Sequence, residues 1–98
     1  MSREDLVEFQ LLDGYVGSDG GTHRDGLLRP SRAADEVWAL KDFRLHVWPE
    51  RFLEVILPRV VVRLGALERL DSGLIQALST RDRALLEDLY REVNGYGE

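Results

Sequence analysis

The chain has 98 residues, of which 44% are hydrophobic and 32% charged, and this length predicts one domain whose small core leaves little room for a deep internal active site. It contains no cysteine, which excludes disulfides, thiolate zinc sites and cysteine nucleophiles. The net charge is −5 and the cations are spread along the chain without a concentrated basic patch, so nucleic acid is not expected as a partner.

The N-terminal part, about residues 7–29, has the pattern of a β-hairpin. Every second residue from Val7 to Leu11 is apolar, which is the period of a strand with one buried face, and the strand continues to Val16. A glycine-rich turn over residues 17–21 leads into a second strand over residues 22–29. Two glycines inside the arms indicate a bulge or a close backbone approach, Gly14 and Gly26.

Helices are predicted for most of residues 31–94. Ser31, after Pro30, is the expected cap of a first helix that runs from about residue 32 to residue 41. The apolar side of this helix consists of Val37, Trp38 and Leu40. Residues 42–48 have no clean period, which predicts a connection or one extra turn.

A second amphipathic helix is predicted over residues 49–64. Pro49 suits its first turn, and the apolar positions at helical spacing are Phe52, Val55, Ile56 and Val60. Pro58 removes a backbone donor and clashes with the preceding turn, so a kink is expected there, or a helix end at Leu57. Helix is the prediction for Val60-Val61-Val62 as well, with a strand as the alternative because β-branched residues favour extended structure.

Two more helices follow Gly65. Asp71 or Ser72 is expected to cap a short one, and Ser79 with Asp82 three residues later resembles the capping box of the last one. The apolar positions of this last helix follow the i, i+3, i+4, i+7 spacing, and they are Leu86, Leu89, Tyr90 and Val93. Glu87 and Arg91 form a predicted i,i+4 pair, Asn94-Gly95 ends the helix, and residues 95–98 form a tail. The predicted fold class is therefore α+β, an N-terminal β-hairpin followed by a cluster of three or four helices.

Catalytic chemistry has little support in this sequence. His23 and Asp25 lie on one face of the second strand, as an oriented general base would, but neither a nucleophile nor a pocket accompanies them. His23 and His46 lack the spaced partners of a zinc site, and the turn over residues 17–21 lacks the Lys-Ser/Thr ending of a P-loop. We therefore predict no catalytic residues, no cofactor site and no metal site.

Binding to another protein is the better expectation. The middle of the chain is rich in aromatics, and core packing is one interpretation of them, yet a domain this small is not expected to bury both tryptophans. Trp48, between a polar connection and Pro49, is the candidate exposed anchor. Arg59 and Arg63, one helical turn apart, are the candidates for gripping a partner's carboxylates, with a solvated helix face as the alternative.

Five stretches of the sequence share their order and spacing with a known family. They are Gly14-Tyr15, Gly21-Thr22-His23-Arg24-Asp25-Gly26-Leu27-Leu28-Arg29, Ala34-Asp35-Glu36, Arg59-Val60-Val61-Val62-Arg63-Leu64-Gly65, and Leu85-Leu86-Glu87-Asp88-Leu89-Tyr90-Arg91 followed by Val93-Asn94. Over residues 14–94 the chain thereby resembles the small phage tail assembly proteins found with contractile tails and related extracellular contractile injection systems. It departs from that family's pattern at Pro58 and at Trp48 before Pro49.

The resemblance implies a non-enzymatic, chaperone-like assembly factor that binds a tube, tape-measure or baseplate component of a tail-like particle. It leaves open which component is bound, the oligomeric state, and whether the protein instead stays as a minor subunit of the baseplate region. Two rivals are a small enzyme that uses His23 and Asp25 and a free-standing adaptor or regulator. The charged N-terminus and the lack of an apolar stretch of roughly 20 residues predict a cytoplasmic protein without a membrane partner.

Overall fold

A computed structural model describes residues 6–95, and in this part of the chain a three-stranded sheet packs against helices. The strands are β1 (Val7–Val16), β2 (Thr22–Leu28) and β3 (Val61–Leu64). The helices are α1 (Ala33–Leu40), α2 (Phe43–Val47), α3 (Phe52–Val60), α4 (Ser72–Ala77) and α5 (Thr80–Val93), and a 3-10 turn, Pro49–Arg51, precedes α3. The fold is α+β with an N-terminal hairpin, as predicted.

The sheet has the order β1-β2-β3 with both pairs antiparallel. In the hairpin Val7 lies opposite Leu28 and Val16 lies opposite Thr22, with a register shift between Gln10 and Tyr15. Gly14 lies in that shift at a φ of 87°, a left-handed conformation that favours glycine. This confirms the predicted bulge in the first arm.

Gly26 marks the predicted close approach in the second arm. A Cβ atom at this position would lie 2.3 Å from the Phe9 ring and 2.8 Å from the Arg63 carbonyl oxygen. Glycine is therefore required at the centre of the sheet, where β2 contacts a cross-strand aromatic on one side and the β3 backbone on the other.

The helix predicted over residues 49–64 is wrong in its last part. α3 ends at Val60, and the chain continues without a loop into β3, where Val61 and Leu64 are buried. The free edge of β2 explains this outcome, because it offers partners to backbone groups that a short helix end would leave unpaired. Arg29 N–H donates to the Val60 carbonyl at 2.9 Å and Gly65 N–H donates to the Asp25 carbonyl at 2.6 Å.

Pro58 lies inside α3, two residues before its end, so the helix does not stop at Leu57. The connection predicted over residues 42–48 contains the single helical turn of α2. The helix therefore continues past Pro58, and residues 42–48 contain one extra helical turn.

The core lies between the sheet and the helices. Its buried apolar side chains are Leu11, Leu28, Ala39, Leu45, Val55, Ile56, Leu57, Val60, Val61, Leu64, Leu74, Ile75, Leu78, Leu86 and Tyr90. Tyr90 is the largest of them, and it meets Phe52 edge to face with ring centroids 6.3 Å apart. Its hydroxyl donates to Ser31 Oγ at 3.1 Å, which satisfies a polar group that burial would otherwise leave without water.

The helix ends mostly follow the predicted caps. Asp71 accepts from Leu74 N–H at 2.8 Å, Ser79 accepts from Asp82 N–H at 3.2 Å, and Gly95 has a φ of 77°. Residues 96–98 of the predicted tail lie outside the described residues.

Two local predictions at the helix ends are wrong. Ser31 does not cap α1, because its backbone N–H and hydroxyl both donate to the Asn94 side chain, and Arg32 occupies the cap position instead. Arg91 pairs with Asp88 one turn away, at 3.6 Å, and not with the expected Glu87.

Candidate protein-binding surface

Large apolar side chains are exposed along α1 and α2. Nine such side chains are exposed within residues 6–95, and six of them fall within residues 37–48. These six are Val37, Trp38, Leu40, Phe43, Val47 and Trp48, and we refer to them as the aromatic surface. Single exposed apolar residues are ordinary on a folded protein, whereas large contiguous apolar patches are typical of interaction sites.

The apolar side predicted for α1 does not face the core. Val37, Trp38 and Leu40 are exposed, and the helix buries Asp35 and Ala39 instead. Asp35 meets the requirement of a buried carboxylate for charged or hydrogen-bonded partners, because Arg29 and Arg59 lie on the core side of the helix.

Asp35 is bound by two arginines from different elements. Arg29 approaches it with both terminal nitrogens, at 2.7 and 2.9 Å, and Arg59 Nε donates to it at 3.0 Å. Asp35 also accepts from the Arg32 backbone N–H at 2.8 Å, which gives that amide at the start of α1 a hydrogen-bond partner. Hydrogen bonds from Arg29 are the main cause of a pKa of Asp35 well below its ordinary value, and burial opposes them.

Each tryptophan of the aromatic surface lies beneath a guanidinium group. The Arg59 guanidinium carbon is 4.4 Å from the centre of the Trp38 ring, and that of Arg51 is 4.5 Å from the centre of the Trp48 ring. Cations at this distance over an indole are attracted by the ring quadrupole. At exposed sites such a contact contributes about 0.5 to 1 kcal/mol.

α2 is fixed by a polar network at its start. Asp42 caps it by accepting from Arg44 N–H at 2.9 Å, and the Arg44 side chain binds the same carboxylate at 3.0 and 2.8 Å. Arg44 also donates to Ser72 Oγ at 2.6 Å, which joins α2 to α4, and its hydrogen bonds lower the pKa of Asp42 to about 2. Leu45 is buried beneath the helix. Phe43, although 75% exposed, thus projects from an anchored turn.

The structure separates the three residues predicted to bind a partner. Trp48 is 43% exposed, as expected for an anchor, and belongs to the aromatic surface. Arg59 and Arg63 are not one helical turn apart, because the first lies in α3 and the second in β3. Arg59 turns to Asp35 and Trp38, whereas the Arg63 side chain donates to the Gly65 carbonyl at 3.3 Å.

Sequence reasoning identified Trp48 but gave no role to Phe43 or Trp38 on the surface. The helical pattern around Trp38 is compatible with either a buried or an exposed face, and Phe43 lies in a segment without a clean period. The sequence carries no local signal for the orientation of α1, because the arginine partners of Asp35 lie in other elements.

The His23 region is occupied by contacts within the chain. His23 Nδ1 accepts from Ala66 N–H at 3.3 Å, its ring stacks on Tyr15 with centroids 6.4 Å apart, and its Nε2 lies 3.0 Å from the place that a Cβ atom would take at Gly17. The open groove beside Asp25 is lined by Glu8, Phe9, Gln10, Asp25, Gly26 and Arg63, so His23 does not line it.

Residues 6–95 contain no group of three or more His, Cys, Asp and Glu side chains arranged to hold a metal ion. Over the same residues, no helix combines the length and the apolar character needed to cross a membrane.

Comparisons of the chain with models of known protein families, with curated proteins and with solved structures gave no match.

Proposed function

We propose that this protein is a non-enzymatic assembly factor for a phage-tail-like contractile injection particle, and that it binds another tail component through the aromatic surface. The sequence resemblance over residues 14–94 suggests the biological class. The exposure of six large apolar side chains within residues 37–48 is the observation that carries the mode of action. The partner is a protein of the tube, the tape measure or the baseplate.

The composition and rigidity of the surface support this proposal. Binding energy at protein interfaces is concentrated in a few tryptophan, tyrosine and arginine side chains, and aromatic residues in general are enriched there. Trp38 and Trp48 are stacked under arginines, and Phe43 projects from a helix held by the Asp42–Arg44 pair. Side chains that are already ordered lose little conformational entropy when a partner arrives, which favours binding.

The rival function, an enzyme centred on His23, has weaker support. A general base needs a free ring nitrogen aimed at a substrate site. In His23 the Nδ1 atom accepts from the Ala66 backbone, and the groove beside Asp25 is not lined by His23. We therefore assign His23 a structural part in joining the hairpin to the segment that follows β3.

The proposal is tested by co-purification from cells that express the tube, tape-measure and baseplate components. Phe43→Ser should abolish capture of the tail component, because losing a buried interface aromatic costs about 2 kcal/mol or more, roughly thirty-fold in affinity. Trp48→Ala should have the same effect. Circular dichroism and thermal melting should change little for Phe43→Ser, since that ring is 75% exposed in the free protein.

Val16→Ser is the matched control, since Val16 is 63% exposed on the hairpin, away from α1 and α2 in the sequence. It should leave capture unchanged. Arg63→Ala tests the sheet as a rival site, and loss of capture in this variant alone would show that the aromatic surface is the wrong one. Presence of the protein in purified finished particles would favour the alternative of a minor baseplate subunit that stays.

A further inference from the structure

We infer that the pair Asn94-Gly95, which follows the last turn of α5, is a site of deamidation, and that a contact between Asn94 and Ser31 controls the rate of this modification. Asn94 is the one asparagine of the chain. The site is separate from the aromatic surface, because none of its atoms belongs to α1 or α2.

Deamidation turns the side-chain amide of an asparagine into a carboxylate, and water is its only co-reactant. The Gly95 backbone nitrogen attacks Asn94 Cγ, so that a nitrogen–carbon bond forms, the bond from Cγ to Nδ2 breaks, and ammonia leaves with the Gly95 amide proton. Water then adds to either carbonyl carbon of the cyclic imide and opens it to aspartate or isoaspartate. Asparagine is a thermolabile residue, and a following glycine has no side chain to hinder the attack.

The groups that must react are all held by hydrogen bonds in the folded protein. Asn94 Oδ1 accepts from the Ser31 backbone N–H at 2.8 Å and from the Ser31 hydroxyl at 3.0 Å. Asn94 Nδ2 donates to the Tyr90 carbonyl at 2.8 Å, and the Gly95 N–H donates to the Glu92 carbonyl at 3.3 Å. We refer to the hydrogen bonds of the Asn94 side chain as the Asn94 latch, since they join the end of α5 to the segment before α1.

The Asn94 latch should slow deamidation without preventing it. Ring closure needs Asn94 Cγ to turn toward the Gly95 nitrogen, and the side chain cannot turn while Ser31 and Tyr90 bind both ends of its amide. Gly95 is exposed and the pair lies at a helix end, where local opening costs little free energy. When opening is fast relative to the chemistry, the rate follows the fraction of molecules in which the latch is open.

Deamidation in turn weakens the latch. The product carboxylate still accepts from Ser31, but it has no N–H to donate to the Tyr90 carbonyl, so two oxygens face each other in place of that hydrogen bond. The new charge also lies at the C-terminus of α5, where the helix dipole disfavours anions. The modified protein therefore holds the end of α5 less firmly against the segment before α1.

The experiment incubates the full-length protein at mildly alkaline pH, once in buffer and once in urea at a concentration that unfolds it. Isoelectric focusing measures the appearance of a form with one additional negative charge. Mass spectrometry of the peptide that follows Arg91 assigns the change to Asn94. The unfolded chain should convert at least about tenfold faster than the folded protein, which should still convert measurably.

Ser31→Ala tests the latch directly. It removes one of the donors to Asn94 Oδ1, so conversion should be about fivefold faster than in the wild type in buffer and unchanged in urea. Ser31 Oγ also accepts from the Tyr90 hydroxyl, so this variant loses stability as well. Gly20→Ala is the matched control, because a positive φ of 84° makes it destabilising in the hairpin turn. It should convert within about twofold of the wild-type rate.

Asn94→Asp imitates the aspartate product. Its Tm should lie about 4 °C or more below that of the wild type, the shift expected for one lost hydrogen bond in a domain of this size. A wild-type Tm would show that the modification leaves the latch intact.

Two results would overturn the rest of the proposal. Conversion in urea with none in buffer, in the wild type and in Ser31→Ala alike, would mean that the folded protein is not modified at Asn94. Equal rates for wild type and Ser31→Ala, or an equal acceleration by Gly20→Ala, would show that the latch does not control the reaction.

Discussion

The Asp82 carboxylate accepts a hydrogen bond from the Gly14 backbone N–H at 2.9 Å, which joins the start of α5 to the bulge of β1. It also accepts from the N–H groups of Leu12 at 2.7 Å and Asp13 at 3.1 Å. Asp82 is fully buried. Three successive donors that the register shift removes from the β-ladder are thus satisfied by one side chain.

Asp82→Ala should be the most damaging single change outside the apolar core. It leaves three backbone donors without their charged acceptor, at a cost of roughly 3 kcal/mol in the free energy of unfolding. In a domain of this size that loss lowers the Tm by roughly 12 °C or more, measured by calorimetry. Asp88→Ala, on the exposed side of the same helix, should cost less than about 0.5 kcal/mol. Equal losses in both variants would contradict the role given to Asp82.

Gly14→Ala should be clearly more destabilising than Gly20→Ala, although both glycines have positive φ, at 87° and 84°. A left-handed backbone costs a non-glycine residue about 1 kcal/mol at either position. At Gly14 the new Cβ would also lie 2.7 Å from the Arg24 side chain and 2.8 Å from Thr22, whereas at Gly20 nothing lies within 4 Å. Urea unfolding of the two variants measures the difference, and similar midpoints would show that the bulge adapts.

Asp35 should make the free energy of unfolding decrease as the pH falls. Its pKa is held below the ordinary 3.8 in the folded protein, chiefly by Arg29, so the unfolded chain takes up the proton first as pH falls. The stabilisation is present above that ordinary value and is lost below it. Asp35→Asn should be less stable at neutral pH and should lose less additional stability between about pH 5 and about pH 2. A variant whose urea midpoints follow the wild-type pH dependence would show that Asp35 is not the group involved.

Pro58→Ala should be neutral or stabilising. Pro58 lies inside α3, where it lacks the N–H that would bond to the carbonyl four residues earlier, and alanine restores that donor. Leu57→Ala beside it, at a position only 1% exposed, should cost about 2 to 5 kcal/mol and serves as the comparison. If thermal unfolding shows a loss above about 1 kcal/mol for Pro58→Ala, the packing requires the proline ring.

Patterns within a few residues of one another were sufficient to predict much of the fold. Alternation predicted the hairpin, a glycine inside the first strand predicted a bulge or a close approach at Gly14, and cap residues predicted the starts of α4 and α5. β3 could not be predicted in the same way. The choice between helix and strand for residues 61–64 depends on the free edge of β2, which lies more than thirty residues earlier in the sequence.

The site was harder to predict than the fold. The exposure of Trp48 was predicted from its position before Pro49, but the exposure of Trp38 depends on which way α1 turns and that of Phe43 on how α2 is placed. On the buried side of α1, Asp35 binds Arg59, which lies 24 residues away in the sequence. The contacts of Asp82 could not be predicted from nearby residues either. Its spacing from Ser79 predicted a capping box. Its carboxylate instead reaches a strand about 70 residues distant.

The bond between Asp82 and the β1 bulge also constrains the order of folding. The hairpin strands and α5 are local structures that can begin to form separately, but the amides of Leu12 and Gly14 lack their acceptor until the two ends of the chain meet. Closing so long a loop comes late unless it belongs to the folding nucleus itself. In native-state hydrogen exchange, the amides of Leu12 and Gly14 should therefore exchange through the same opening as the amides of α5. Local unfolding of either segment should expose the amides of both.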